Sequence, residues 1–286
     1  MRRKSSLFAS LLGCLGVASL SVGGYALAAE DAPTNRAQLV ERLQAAVRDQ
    51  NLPEDPAAQK EKLLVAASET LPQVQENVVA VEKLNNALAK AAEADDKIAN
   101  DELKSALRDV VLLYTFKPLL EAKSPEGFPK PGLLGAIEVR KYPAYRLVRT
   151  EMKAGQDKAF WTLFQHIDSN KIEMTTPVEM TRRDADAKGE SMAFLYENMK
   201  IGEPGRKGAV EVVDVPPMTV VSLGDRGDME PAQVKLATQR LEKWLLDHKD
   251  EYKPAGEPRV MGYNSPMVPS SLRYFEVQIP IEPLTK

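Results

Sequence analysis

Two histidines, His166 and His248, are the only imidazoles in the 286-residue chain, and its one cysteine, Cys14, lies within the first thirty residues. An imidazole can ligate a metal or carry a proton near neutral pH, and a thiolate can attack or ligate. The two histidines lie far apart in sequence, and no carboxylates cluster at the spacings used for metal binding or paired acid–base work. Little is left from which to build a catalytic constellation, so the chain reads as non-enzymatic. Each histidine falls on or beside an apolar helical stripe: His166 follows Leu163 by three and Ala159 by seven, and His248 follows Trp244 by four and Leu241 by seven. Both lie close to a helix C-terminus, where the dipole favours partial protonation. Capping its own helix is the plainer role for each.

The elements that position these residues are written twice. Ala136-Ile137-Glu138-Val139, Pro143 and Leu147-Val148 recur 73 positions on as Ala209-Val210-Glu211-Val212, Pro216 and Val220-Val221. Each copy continues through a strand-like run and an amphipathic helix, about Lys158–Ile167 and Pro231–Leu246. Each then enters a proline-centred loop, Thr175-Thr176-Pro177-Val178 or Asn264-Ser265-Pro266-Met267. A supersecondary unit used twice predicts two βαββ halves that close on each other, with a ligand groove between them.

The first thirty residues differ from the rest. Arg2-Arg3-Lys4 precede an apolar run from Leu7 to Leu27 and the small-residue site Ala26-Leu27-Ala28, the pattern of a secretory signal peptide over residues 1–29. An uncleaved anchor is the alternative, and Leu12-Gly13-Cys14 loosely matches a lipid-attachment site. Export across the inner membrane to a periplasmic or extracellular location is expected, with no membrane span in the mature chain. Removal of the leader leaves 35 Lys and Arg against 41 Asp and Glu, a net charge of −6, and no thiol. That composition excludes disulfides and thiolate metal sites, and it offers no basic stripe for nucleic acid.

Residues 30–122 carry no strand signal and are rich in Ala, Leu, Glu, Lys and Gln. Leu39-Val40, Leu43 and Ala46-Val47 follow one helical face, and further helices are predicted across Ala57–Thr70, Val74–Ala92 and Asn100–Leu120. A small antiparallel bundle is the plain reading, and a partner-binding coiled coil the sharper one, although heptads are not sustained. Residues 123–133, where Lys123–Pro131 carries three prolines and a glycine, read as a linker to a second unit over 134–286.

Within that unit, Lys171-Ile172-Glu173-Met174-Thr175-Thr176-Pro177-Val178 is similar to the K-I-x-M-T-x-P-V signature of the SOUL haem-binding-protein family. Gly262-Tyr263-Asn264-Ser265-Pro266 resembles its second signature, G-Y-[ND]-x-P. Ile137-Glu138-Val139-Arg140-Lys141-Tyr142 looks like the family's first strand. Phe275-Glu276-Val277 looks like its closing segment, with Gln278 in place of a tryptophan. The resemblance implies an α+β fold: a distorted antiparallel β-barrel of two βαββ repeats with two flanking helices, here following a helical N-terminal region. It also implies haem or another tetrapyrrole bound in an apolar groove near the first helix and first signature. On this chain the matching residues are Phe160, Phe164, Ile172, Met174 and Pro177, with Gly262–Met267, including Tyr263, Pro266 and Met267, as a second wall. The chain departs from its relatives where Asp168-Ser169-Asn170 runs directly into Lys171 without the usual glycine and extra residues.

A tetrapyrrole groove needs aromatic and aliphatic surface, rim cations and, for iron, a His, Met or Tyr ligand. His166 is the best axial candidate, and Met174 either lines the groove or packs in the core. Tyr263 either bonds a propionate or closes a hairpin, and Lys171 and Arg259 are the rim cations, with plain surface charge as their alternative. Trp161 and Trp244 occupy similar places in the two repeats and read as packing residues. The leading expectation is a non-enzymatic carrier or buffer of a hydrophobic tetrapyrrole. The alternative is an extracytoplasmic scaffold that uses its N-terminal helices to hold a protein partner, with a ligand-free barrel.

Overall fold

The structure, a computed structural model, describes residues 32–181 and 191–284. The leader, residues 1–29, and Cys14 lie outside the described residues. Helix α1 (Ala32–Ala46) is followed by three helices that share one starting device. Asp55, Asn77 and Asp95 each accept a hydrogen bond from the backbone N–H three residues on, at 2.9, 2.9 and 3.0 Å. A side-chain acceptor there satisfies one of the helix's orphan donors, so these residues begin α2 (Pro56–Thr70), α3 (Val78–Glu93) and α4 (Asp96–Thr115). Leu43, Leu63, Leu84, Leu103 and Leu107 are fully enclosed in the bundle core. Helix α4 stops five residues before the predicted Leu120. Phe116 is extended (φ −61°, ψ 131°), and Lys117, which precedes Pro118, is disfavoured from helical backbone.

The second unit is one antiparallel sheet of ten strands. Its strands are β1 (Ile137–Tyr142), β2 (Tyr145–Glu151), β3 (Val178–Thr181), β4 (Ser191–Leu195), β5 (Gly205–Lys207), β6 (Val210–Val215), β7 (Met218–Arg226), β8 (Tyr252–Pro254), β9 (Arg259–Gly262) and β10 (Tyr274–Pro283). Helix α5 (Gln156–Ser169) covers β2, β4 and β6, and α6 (Pro231–Asp247) covers β7, β8 and β10. The strand order is β1-β7-β10-β9-β3-β4-β2-β6-β5, with β8 on the far end of β10.

The expected barrel is therefore corrected to a wound sheet whose ladder stays open between β1 and β5. Two short links explain the winding. Pro143-Ala144 joins β1, at one end of the order, to β2 near the other; Pro216-Pro217 joins β6 to β7 in the same way. The ends are thus held together through the chain, while proline, lacking an N–H, supplies no ladder bond at the joins.

Alternation along β10 assigns its two faces. Phe275, Val277, Ile279 and Ile281 pack under α5 and α6 with Leu163, Leu241, Val148 and Val221. Tyr274, Glu276 and Gln278 point to the concave face. There Glu276, fully buried, accepts from Arg140, from Gln278 Nε2 (2.7 Å), from Tyr274 Oη (3.1 Å), from Ser222 Oγ (3.2 Å) and from the Gly132 N–H (2.9 Å). A second pair continues this cluster: Arg259 Nη1 donates to Glu179 (3.0 Å) and Tyr145 Oη (2.6 Å), and its Nε to Gln278 Oε1 (3.0 Å). The Arg259 guanidinium lies 5.4 Å from the centre of the Tyr142 ring, and its Nη2 has no hydrogen-bond partner among the described residues. Burial foremost, reinforced by Glu276, pushes the Tyr142 hydroxyl up to about 12.

The segment from Phe116 to Ala136 straps across this face. Phe128 stands edge-on to both Tyr142 and Tyr145, with ring centres 5.0 and 5.2 Å away. Lys130 O accepts from Arg140, and the Glu126 N–H donates to Glu197 O (2.8 Å). The bundle closes the remaining side: Phe116 stacks on Tyr274 (6.3 Å), Tyr263 and Met261 join the helical core, and Asn77 Nδ2 donates to Leu134 O (2.8 Å). The groove expected between the halves is filled by the protein's own side chains.

Removing one member of a buried ion pair strands the other charge, at a cost of about 3–5 kcal/mol. Arg140→Ala is accordingly expected to lower the unfolding free energy by about that amount, measured by urea denaturation. An unchanged midpoint contradicts the role given to this pair.

Candidate functional site

Helix α5 presents two different flanks. Ala159, Leu163 and Ile167 form its buried stripe. Beside that stripe Phe160, Trp161 and Phe164 make one aromatic cluster. Phe160 and Phe164 stack at 6.2 Å, Trp161 meets them edge-on at 5.9 and 5.6 Å, and Phe160 is rooted against the buried Phe194 ring at 5.1 Å. Trp161 is 64% exposed and Phe164 38%, so the cluster offers aromatic surface to solvent instead of packing Trp161 away as expected. Trp244 does pack: it stacks at 3.9 Å on His248, whose Nδ1 lies 2.8 Å from Trp244 O. His248 closes the end of α6, in keeping with its structural reading.

His166 lies on the other flank. At 3.6 residues per turn it is displaced by about 120° from Phe160 and about 160° from Phe164. Its Nε2 is 3.0 Å from Tyr196 Oη. Burial, followed by the positive charge of Lys207, holds its imidazole below the ordinary value. The structure thus brings Phe160 and Phe164 together with Trp161, and it leaves His166 outside that group.

The first signature follows α5 at once. The Ile172 N–H donates to Ile167 O (2.8 Å), and Lys171 turns the chain with a left-handed φ of 53°, a conformation that favours glycine. Lys171 and Ile172 line a cleft of about 290 Å³ with Glu197 and Gly202, and Met174 lines another of about 370 Å³ with Lys123 and Glu197. The next residues are structural. Thr175 Oγ1 donates to Leu195 O (2.7 Å), Thr176 Oγ1 to Tyr263 O (3.0 Å), and Pro177 is buried behind a cis peptide bond.

The second signature clasps the strap. Asn264 Nδ2 donates to Leu119 O (2.6 Å), while Ser265 N–H and Oγ bond Glu121 at 2.6 and 3.0 Å. From the first signature, the Thr176 N–H donates to Lys123 O (2.9 Å). Tyr263 is buried with Tyr274 under the helical bundle, away from the α5 cluster. Burial first, and Glu276 next, raise its hydroxyl well above the ordinary value. Pro266 is exposed and its carbonyl accepts from Arg273 (2.7 Å), while Met267 is 89% exposed. Arg259 is no rim cation, being enclosed in the concave-face cluster. What the sequence reading missed is this clasp; both signatures ending in a proline-centred loop was the available signal. Among the described residues, no group of three His, Cys, Asp or Glu side chains is placed to hold a metal ion, and no helix is long and apolar enough to cross a membrane.

The decisive comparison is with protein families: the profile described as SOUL heme-binding protein matches residues 132–280, more than half of the chain. The chain belongs to the SOUL heme-binding protein family. The match begins at Gly132, so the bundle and most of the strap lie outside the SOUL region. Comparison with curated proteins gives no match. Among solved structures, the EcmrR C-terminal domain is similar at 15% identity and a TM-score of 0.42, over 52% of this chain and 98% of that one. A hydrolase from Listeria innocua aligns at 11% identity and 0.38, over 51% and 91%. SAV2435 bound to tetraphenylphosphonium aligns at 10% identity and 0.31, over 51% and 93%.

The lowered imidazole of His166 has a sign that can be tested. The unfolded chain takes up its proton near the ordinary value of 6.5, before the folded protein does. The contribution to stability is therefore complete above that range, falls as pH drops through it, and levels below the folded value. An NMR titration of the His166 ring is expected to have its midpoint below 6.5, and His166→Gln to remove this part of the stability profile. A midpoint at or above the ordinary value contradicts the burial assigned to His166.

Proposed function

We propose that this SOUL protein binds haem or a related tetrapyrrole on the outer face of α5, without catalysing a reaction, as a carrier or buffer outside the cytoplasm. The observation that carries the reading is the Phe160–Trp161–Phe164 cluster, an aromatic surface left open in a member of a heme-binding family. A macrocycle with a broad apolar face gains by covering such rings, and offset or edge-on ring contacts add about 0.5–1.5 kcal/mol each beyond the area buried. When bound, haem supplies an iron centre. This chain's part is to stack against the ring and to orient it.

Axial ligation by His166 is not part of the proposal, because its Nε2 already faces Tyr196 Oη and the ring lies on the other flank of the helix. The lack of a matching aromatic cluster on α6 supports a single site, on α5. Exchanging β1, β2, β3 and β4 with β6, β7, β9 and β10 reverses the order of those eight strands onto itself, yet the second helix, α6, lacks the exposed aromatic cluster. Export is supported by the leader pattern of residues 1–29.

An absorbance titration of residues 30–286 with hemin is expected to show saturable one-to-one binding with a shifted Soret band. The Trp161→Ala, Phe164→Ala double variant should bind about tenfold more weakly or worse, about 1.4 kcal/mol or more. His166→Ala should leave the Soret position unchanged. No saturable binding by the unmodified sequence overturns the proposal, and a Soret shift in His166→Ala overturns the unligated geometry.

A further inference from the structure

A cleft of about 540 Å³ opens where the bundle meets the sheet, within the roughly 300–1,000 Å³ of small-molecule sites. It depends on both units. Val79, Leu112, Leu113 and Leu134 give it an apolar floor drawn from α3, α4 and the segment before β1. Its walls carry four charges, three of them already engaged. Lys83 Nζ is held by Asp109 (2.6 Å), and Arg226 Nη1 donates to Ser271 O (3.2 Å) at the exposed rim. Asp225 is the exception. Its Oδ1 accepts only from the N–H of Arg226 (2.7 Å), and its Oδ2 accepts from no donor among the described residues.

A carboxylate with an open oxygen above an aliphatic floor calls for a donor with an apolar body. We infer that this cleft is a second binding site, for a small amphipathic molecule with a protonated amine that pairs with Asp225. Burial holds the Asp225 carboxyl above the ordinary value, against the opposing pull of the Arg226 N–H, Arg240, Arg226 and Lys83. An arriving ammonium relieves that penalty. The cleft is independent of the tetrapyrrole surface, since it includes no residue of α5.

The test is isothermal titration calorimetry of the protein with n-octylamine below its aggregation threshold, with octanoate as the ligand of opposite charge. Saturable one-to-one octylamine binding is expected, with octanoate at least about tenfold weaker; Asp225→Asn should lose about tenfold or more. Ser271→Trp, at the exposed rim, should block entry by a similar factor and keeps the test valid if Asp225→Asn does not fold. Absence of saturable octylamine binding, equal binding of octanoate, or wild-type affinity in both variants overturns the inference.

Discussion

Glu276 is the residue on which the rest of the SOUL domain is organised. It is fully buried on the concave face, and a carboxylate there is tolerable only if every lone pair has a donor. Those donors come from β1 (Arg140), β7 (Ser222), β10 (Tyr274 and Gln278) and the strap (the Gly132 N–H). One side chain therefore joins the first strand, two strands of the second half and the connection to the bundle. The Arg259–Glu179 pair extends the same cluster through Gln278 into β3, so that both halves share it.

This arrangement is the reason the proposed ligand face is the outside of α5. The concavity formed by two halves would ordinarily be the place to look for a site, but here it is filled by charge pairs, tyrosines and Phe128. The bundle seals its far side through Tyr263 and Tyr274. The signature loops, which mark the family, spend most of their polar groups holding the strap: Thr176 on Lys123, Asn264 on Leu119 and Ser265 on Glu121. Among the described residues, the aromatic flank of α5 and the junction cleft stay open, as do the smaller clefts beside Lys171 and Met174.

Much of this was legible beforehand, and for physical reasons. The helical periodicity of Leu39 and Leu43 is a local pattern that survives into α1, and the alternation of Ile137–Tyr142 and Val210–Val215 survives into β1 and β6. The helix starts were less legible: α3 begins at Val78 and α4 at Asp96, not at the predicted Val74 and Asn100, because the side chains of Asn77 and Asp95 set them. Long-range pairing was not legible. Arg259 read as a rim cation or plain surface charge, because only the fold brings Glu179, Tyr145 and Gln278 around it. Trp161 looked like a packing residue because its place in the chain matches that of Trp244, but helical periodicity puts it about 160° from Leu163, on a side of α5 with no covering element among the described residues. Tyr263 is a member of a correct motif whose neighbours, the bundle and Tyr274, lie outside that motif. His166 was rightly placed at the margin of its stripe, and the flank it faces was decided by Tyr196.

The central claim is that the tetrapyrrole surface is the outside of α5 while the concave face stays closed. The most direct measurement is two-dimensional NMR of the protein titrated with zinc protoporphyrin. The account predicts that the Trp161 indole N–H and the α5 backbone shift and broaden, while the Trp244 indole and the amides of Phe128 and Gly132 stay in place. Movement of the Phe128 and Gly132 amides with Trp161 unaffected would put the ligand between the halves and contradict the account.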